Sequence, residues 1–151
     1  VQLITEHFGA IEYWPDQVIR FPEGLPAFEE EREFLLIEQP ATLPVVFLQS
    51  LRRPELAFIT LPAALVEPSF RLAAAPEDLE ALGLEGEAEP GASLLCLAIV
   101  TIPENGPPTA NLMAPVAINL KARLGRQVIQ TAGPYSYQHP LAPPAGEAPC
   151  S

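Results

Sequence analysis

Cysteine, histidine and basic side chains are scarce in these 151 residues, and each scarcity removes a class of explanation. Of the two cysteines, Cys96 lies inside an apolar run and Cys150 one residue from the C-terminus, so they read as a core thiol and a tail thiol, not a disulfide framework. His7 and His139 are 132 positions apart and no CxxC or HxxxH spacing exists. Sequence neighbours therefore cannot assemble a zinc site, and neither a metal nor a cofactor is expected. The longest apolar run, Leu94 to Ile102, has nine residues, about half of the roughly 18 to 20 that a membrane-crossing helix needs. No membrane span is expected. Val1 to His7 lacks a basic segment followed by an apolar stretch, so a cytoplasmic location is the expectation.

Motifs of catalysis are missing as well. There is no GxSxG elbow, P-loop, HExxH or GxGxxG, and neither histidine has an acid and a nucleophile at a recognisable spacing. A surface or turn role is the simpler reading of both histidines, and the chain is not expected to be an enzyme.

The charge is strongly one-sided, with 19 acids, 8 bases and a net charge of −11. Residues 1 to 104 hold 18 acids against 5 arginines, a net of −13; residues 105 to 151 hold 3 bases against Glu147, a net of +2. Such a chain repels phosphate backbones, so direct nucleic-acid binding is not expected, and a basic protein partner is favoured. The densest acid run, Glu29-Glu30-Glu31-Arg32-Glu33, reads either as a contact for that partner or as a solvated turn. Lys121, Arg123 and Arg126 form the one basic patch, too small to hold nucleic acid.

Apolar residues make up 48% of the chain, enough for one domain to bury a core, and 19 prolines punctuate it into short runs. Leu3–Phe8 and Ile11–Trp14, split by Gly9, read as a hairpin or a bulged strand. Gln17–Phe21, Phe34–Ile37, Val45–Leu51, Leu56–Leu61, Ser69–Leu72, Leu94–Ile102, Ala110–Met113, Val116–Leu120 and Gln127–Thr131 follow as strand candidates, with Leu94–Ile102 the most buried. Pro115 should mark an edge, a bulge or a corner. Asn111 and Asn119 are expected to satisfy turn backbones. Residues 76–83 carry the one clear helix signal, with proline and acids in the first turn and Gly83 at the end. The spacing predicts an all-β fold, a small antiparallel β-barrel-like domain over residues 1–141, with a flexible tail over 142–151.

Three segments carry a resemblance. They are Phe21-Pro22-Glu23-Gly24-Leu25-Pro26-Ala27-Phe28-Glu29 running into Phe34-Leu35-Leu36, Phe47-Leu48-Gln49-Ser50-Leu51 with Leu56-Ala57-Phe58, and Thr109 to Asn119 leading to Gly125-Arg126-Gln127-Val128-Ile129. In order and spacing the chain resembles the flagellar assembly factor FliW family over most of residues 3 to 131. The resemblance implies a regulator that binds flagellin and antagonises CsrA, a small basic RNA-binding repressor of flagellin translation. The factor would couple flagellin synthesis to flagellum assembly and be monomeric when free. Glu29, Glu30, Glu67, Phe70 and Arg71 are the candidate partner contacts. A small acidic binding module or structural subunit with an unrelated protein partner is the alternative.

Overall fold

The computed structural model describes residues 1–84, 94–131 and 133–141. Among these, ten strands and two short helices run in the order β1 (Gln2–Thr5), β2 (Gly9–Glu12), β3 (Ile19–Arg20), β4 (Glu33–Ile37), β5 (Val46–Ser50), β6 (Ala57–Pro62), α1 (Ala63–Val66), α2 (Pro76–Ala81), β7 (Leu94–Thr101), β8 (Thr109–Asn119), β9 (Leu124–Gln127) and β10 (His139–Pro140). Among the described residues no helix is long and apolar enough to cross a membrane.

Strands β3 to β9 close a seven-stranded barrel in which each strand pairs with its sequence neighbour and β9 rejoins β3. The pairings are antiparallel except the closure, where Arg20 of β3 faces Leu124 of β9 in parallel. Strand β10 adds to the outer edge of β8, and β1 and β2 form a separate hairpin. The hairpin is tied to the barrel by Glu6 N–H donating to the Pro54 carbonyl at 3.0 Å, by His7 Nε2 at 2.9 Å from the Glu55 carbonyl, and by Phe8 edge-on to Phe47. His7 thus serves a turn.

The alternation that defines each strand sends one set of side chains inward. Ile19, Phe21, Leu25, Phe34, Val46, Leu48, Leu97, Val116 and Ile118 fill the barrel. Two smaller apolar layers lie outside it. Ala63 of α1 packs with Ala98, Ala110 and Leu112 of the sheet, and Leu82 and Leu84, at and just past the end of α2, pack with Ala117 and Val128.

Several elements differ from the sequence expectation. Ser69–Leu72 is not a strand: Phe70 N–H turns back to the Glu67 carbonyl, while Ser69 N–H, Arg71 N–H and Ala73 N–H donate to Glu67 Oε2, Tyr135 Oη and Gln130 Oε1. The N–H groups of Ser69, Phe70 and Arg71 are taken up by Glu67 and Tyr135, so no ladder forms. Strand β8 runs unbroken through Pro115, and β7 is not the most buried strand, since β5 and β8 are both more fully buried. The pairing jumps from Leu97↔Val116 to Ile99↔Asn111, a bulge that accommodates the missing N–H of Pro115. Asn111 Oδ1 accepts Ala114 N–H within that bulge, and Asn119 Oδ1 accepts the N–H groups of Lys121 and Ala122, so both asparagines do serve turns. The candidate run Gln127–Thr131 is displaced to β9, Leu124–Gln127; beyond it Val128 and Gln130 N–H donate to the Pro115 and Met113 carbonyls alongside the bulge. The helix expected over 76–83 forms over Pro76–Ala81, and the four-residue α1 adds to it. Cys96 is half-buried against the layer under α1, and burial pushes its thiol up to about 11. Cys150 and the expected tail 142–151 lie outside the described residues, as does the acidic stretch 85–90.

Candidate partner-binding surface

The turn between β3 and β4, Phe21 to Arg32, sends Phe21 and Leu25 into the barrel core and is fixed by close contacts. Gly24 has a φ of +68°, and a Cβ there would stand 2.5 Å from the Glu29 backbone, so the position admits only glycine. Gly125 of β9 leaves room for the tip of the Phe21 ring; a Cβ there would stand 2.5 Å from its Cζ. Two sequence motifs about 100 residues apart therefore meet at one contact, Phe21 against Gly125.

The acid run does not act as one unit. Glu31 is buried, 3% exposed, and accepts a hydrogen bond from Ser50 Oγ at 2.7 Å, with Arg52 and Arg53 at 3.9 and 4.0 Å. Ser50 Oγ in turn accepts the N–H groups of Arg52 and Arg53, so Glu31 anchors the turn to the β5–β6 connection. Its neighbours point into solvent. Glu30 pairs with Arg52 at 3.1 Å, and Glu29 Oε2 accepts Ala27 N–H at 3.2 Å.

On either side of Pro22 the turn borders a cleft. The first, of about 290 Å³, lies between the turn, α2 and β9 and is lined by Pro22, Glu23, Pro26, Glu29, Arg126 and Ile129, among others. Arg126 forms ion pairs of 2.7 Å with both Glu23 and Asp78. The hydrogen bond to Asp78 is the main reason its pKa lies above the ordinary arginine value. Asp78, 8% exposed, also accepts Ala75 N–H and so ties the start of α2 to β9. The second cleft, of about 310 Å³, is lined by Arg20, Pro22, Glu30, Arg32, Glu33 and Arg52.

The basic patch expected at Lys121, Arg123 and Arg126 is dispersed. Arg126 is bound to carboxylates, Arg123 donates to the Gln17 carbonyl, and Lys121 stands exposed. Arg20, Arg32 and Arg52 gather instead, from three different segments, a grouping that linear spacing does not reveal.

The remaining candidates sit elsewhere. Glu67, Phe70 and Arg71 follow α1, where Phe70 stacks on Tyr135 with ring centroids 4.9 Å apart and contributes to the apolar layer under α1. Glu67 accepts hydrogen bonds from the Ser69 hydroxyl at 2.7 Å and its N–H at 3.1 Å, which hold its carboxyl below the ordinary range. Arg71 is exposed. Thus Glu29 and Glu30 share one turn and Glu67, Phe70 and Arg71 another segment, and no hydrogen bond, ion pair or ring contact joins the two groups among the described residues. Exposed Ile129 on the first cleft, 57% accessible, was not among the sequence candidates; an apolar residue just past a strand gives no signal of exposure.

Comparison with known proteins agrees with this architecture. A family model described as FliW protein matches residues 2–141. The flagellar assembly factor FliW of Thermoanaerobacter pseudethanolicus is 36% identical over 143 residues, covering 93% of each chain. That of Syntrophomonas wolfei is 33% identical over 145 residues, covering 95% of this chain and 90% of the relative. A solved structure described as the flagellar assembly factor FliW superposes with a TM-score of 0.83 at 34% identity, over 95% of this chain and 98% of that one. With a closed barrel, the motifs that meet across it and relatives matched nearly end to end, this chain belongs to the FliW family.

Proposed function

We propose that this protein is a flagellar assembly factor that binds flagellin and also binds and antagonises the translational repressor CsrA, coupling flagellin synthesis to flagellum assembly. The observation that carries the reading is the family match along residues 2–141, with relatives named flagellar assembly factors at 33 to 36% identity over most of the chain. Free CsrA would hold flagellin messenger RNA silent, the assembly factor would remove it, and newly made flagellin would take the assembly factor out of circulation.

The charge supports this. A chain at −11 attracts a basic RNA-binding protein and does not compete for its RNA. On this reading the protein works in the cytoplasm, without catalysis or a cofactor, as a monomer when free, and Glu29, Glu30, Glu67, Phe70 and Arg71 contribute contacts. Calorimetric titration with purified flagellin and CsrA, separately and then in competition, tests it. Saturable binding of both is expected; folded protein that binds neither would sink the reading.

A further inference from the structure

We infer that the groove between β2 and β4 takes an extended segment of flagellin, which adds as a strand along the free edge of β4 and brings a carboxylate to Arg123. The inference rests on the functional reading above and adds to it a place on the molecule and a mode of binding.

Open main-chain groups give the first reason. The groove, of about 280 Å³, is lined on one side by Ile11, Glu12 and Tyr13 and on the other by the consecutive residues Leu35 to Glu38. Side chains along a strand alternate between faces, so four residues in a row border one groove through their main chain. In β4, the Glu33 carbonyl accepts Leu51 N–H on the β5 side, so Leu35 and Ile37 also turn their N–H and C=O groups to β5, while Phe34, Leu36 and Glu38 turn theirs the other way. Strand β3 covers that edge only at Glu33 and Phe34. Leu36 and Glu38 are left with no main-chain partner there among the described residues. On the opposite wall Tyr13 N–H donates to the Val1 carbonyl at 2.8 Å, so Glu12, one residue earlier, turns its groups away from β1. Two open strand edges thus border one groove, the setting in which an extended peptide adds as a strand. The opening is formed before binding, because Glu6, His7 and Phe8 pin the hairpin at its turn.

Arg123 gives the second reason, independent of the first. It lines the same groove and donates to the Gln17 carbonyl, yet its Nε–H is buried and has no acceptor among the described residues. An unmet buried donor is costly, and a carboxylate brought in by a ligand satisfies it once the guanidinium turns toward the groove. Glu12 and Glu38, the other charged residues there, are exposed and screened by solvent. This chemistry also chooses the partner. A segment of basic CsrA would set like charge against Arg123, whereas a carboxylate-bearing segment of flagellin meets it.

Amide hydrogen exchange, read residue by residue by NMR on the full chain, tests the added strand. With saturating purified flagellin the Leu36 and Glu38 amides are expected to slow at least about tenfold, and with saturating CsrA to stay within about twofold of the free protein. Flagellin bound with both amides unchanged, or equal slowing by CsrA, overturns the site while leaving the functional reading intact. Arg123→Gln and Arg123→Lys test the carboxylate. Both are expected to raise the Kd for flagellin about tenfold, because lysine keeps the charge but not the Nε–H, with the Kd for CsrA within about twofold. Full rescue by lysine, or equal loss for both partners, overturns the assignment of Arg123. Should neither variant fold, exchange in the unaltered protein decides. If the unaltered protein does not bind flagellin, the reading falls and the site with it.

Discussion

Two short stretches, Phe21–Arg32 and Glu67–Arg71, look alike in sequence: each sets charge and an aromatic beside proline or glycine. The fold holds them by different means. The first is clamped from both sides, by backbone contact at Gly24, by the buried Glu31–Ser50 hydrogen bond and by Phe21 against Gly125. The second is held mainly by itself, through the Ser69 hydroxyl and N–H on Glu67, with Phe70 and the Arg71 N–H leaning on Tyr135. A surface that must meet a partner in one shape benefits from the first arrangement, since fixed walls lower the cost of binding.

Substitutions separate the two. The largest effect is expected from Gly24→Ala, which forces an L-residue to φ +68° and drives a methyl group into the Glu29 backbone. Left-handed strain and overpacking together should cost on the order of 3 kcal/mol, measured by urea unfolding. Loss below 0.5 kcal/mol would mean the turn is loosely held after all.

Ser50→Ala should come next. It takes a donor from the buried Glu31 carboxylate and an acceptor from two backbone N–H groups, with an expected cost of about 2 kcal/mol in the same assay. The side of the turn facing Arg52 should loosen more than the side facing Arg126, which amide hydrogen exchange would show. Uniform protection would break the distinction between the two sides.

The smallest effect belongs to the second stretch. Ser69→Ala should raise the Glu67 pKa toward its ordinary value of 4.5, because the hydroxyl is the main group that depresses it. The sign follows from linkage: with a lowered folded pKa, the stabilisation is present above the ordinary carboxylate range and disappears as pH falls through the lowered value. Glu67 sits at the surface, half-exposed and screened by solvent, so the melting temperature near neutral pH should hardly move, while an NMR titration of the carboxyl resolves the shift. A Glu67 titration unchanged by the substitution would remove the hydroxyl from the account.

Most strands were legible because branched and aromatic residues alternate between proline and glycine breaks, as in Phe34–Ile37 and Val45–Leu51. Helix α2 was legible because proline, acids and glycine stand at its ends. Helix α1 was not: four residues after Pro62 carry neither period nor cap. The candidate strand Ser69–Leu72 was misread because the Arg71 N–H finds Tyr135, 64 positions away, while the Ser69 and Phe70 N–H groups turn back on Glu67. Of the candidate contacts, Glu29 falls on a formed cleft and Glu30 on its neighbour, whereas Ile129 escaped notice.

By itself the sequence determined the strand-rich architecture, the acidic balance and, through three motifs in order, the family. These properties are local or cumulative, so spacing and composition carry them. Which charges are free was decided only by the tertiary structure. Barrel closure brings Gly125 under Phe21, buries Glu31 while leaving Glu29 exposed, ties Arg126 to Glu23 and Asp78, and gathers Arg20, Arg32 and Arg52. A charge becomes available to a partner only when no neighbour in space has already bound it, and those neighbours lie tens of residues away along the chain.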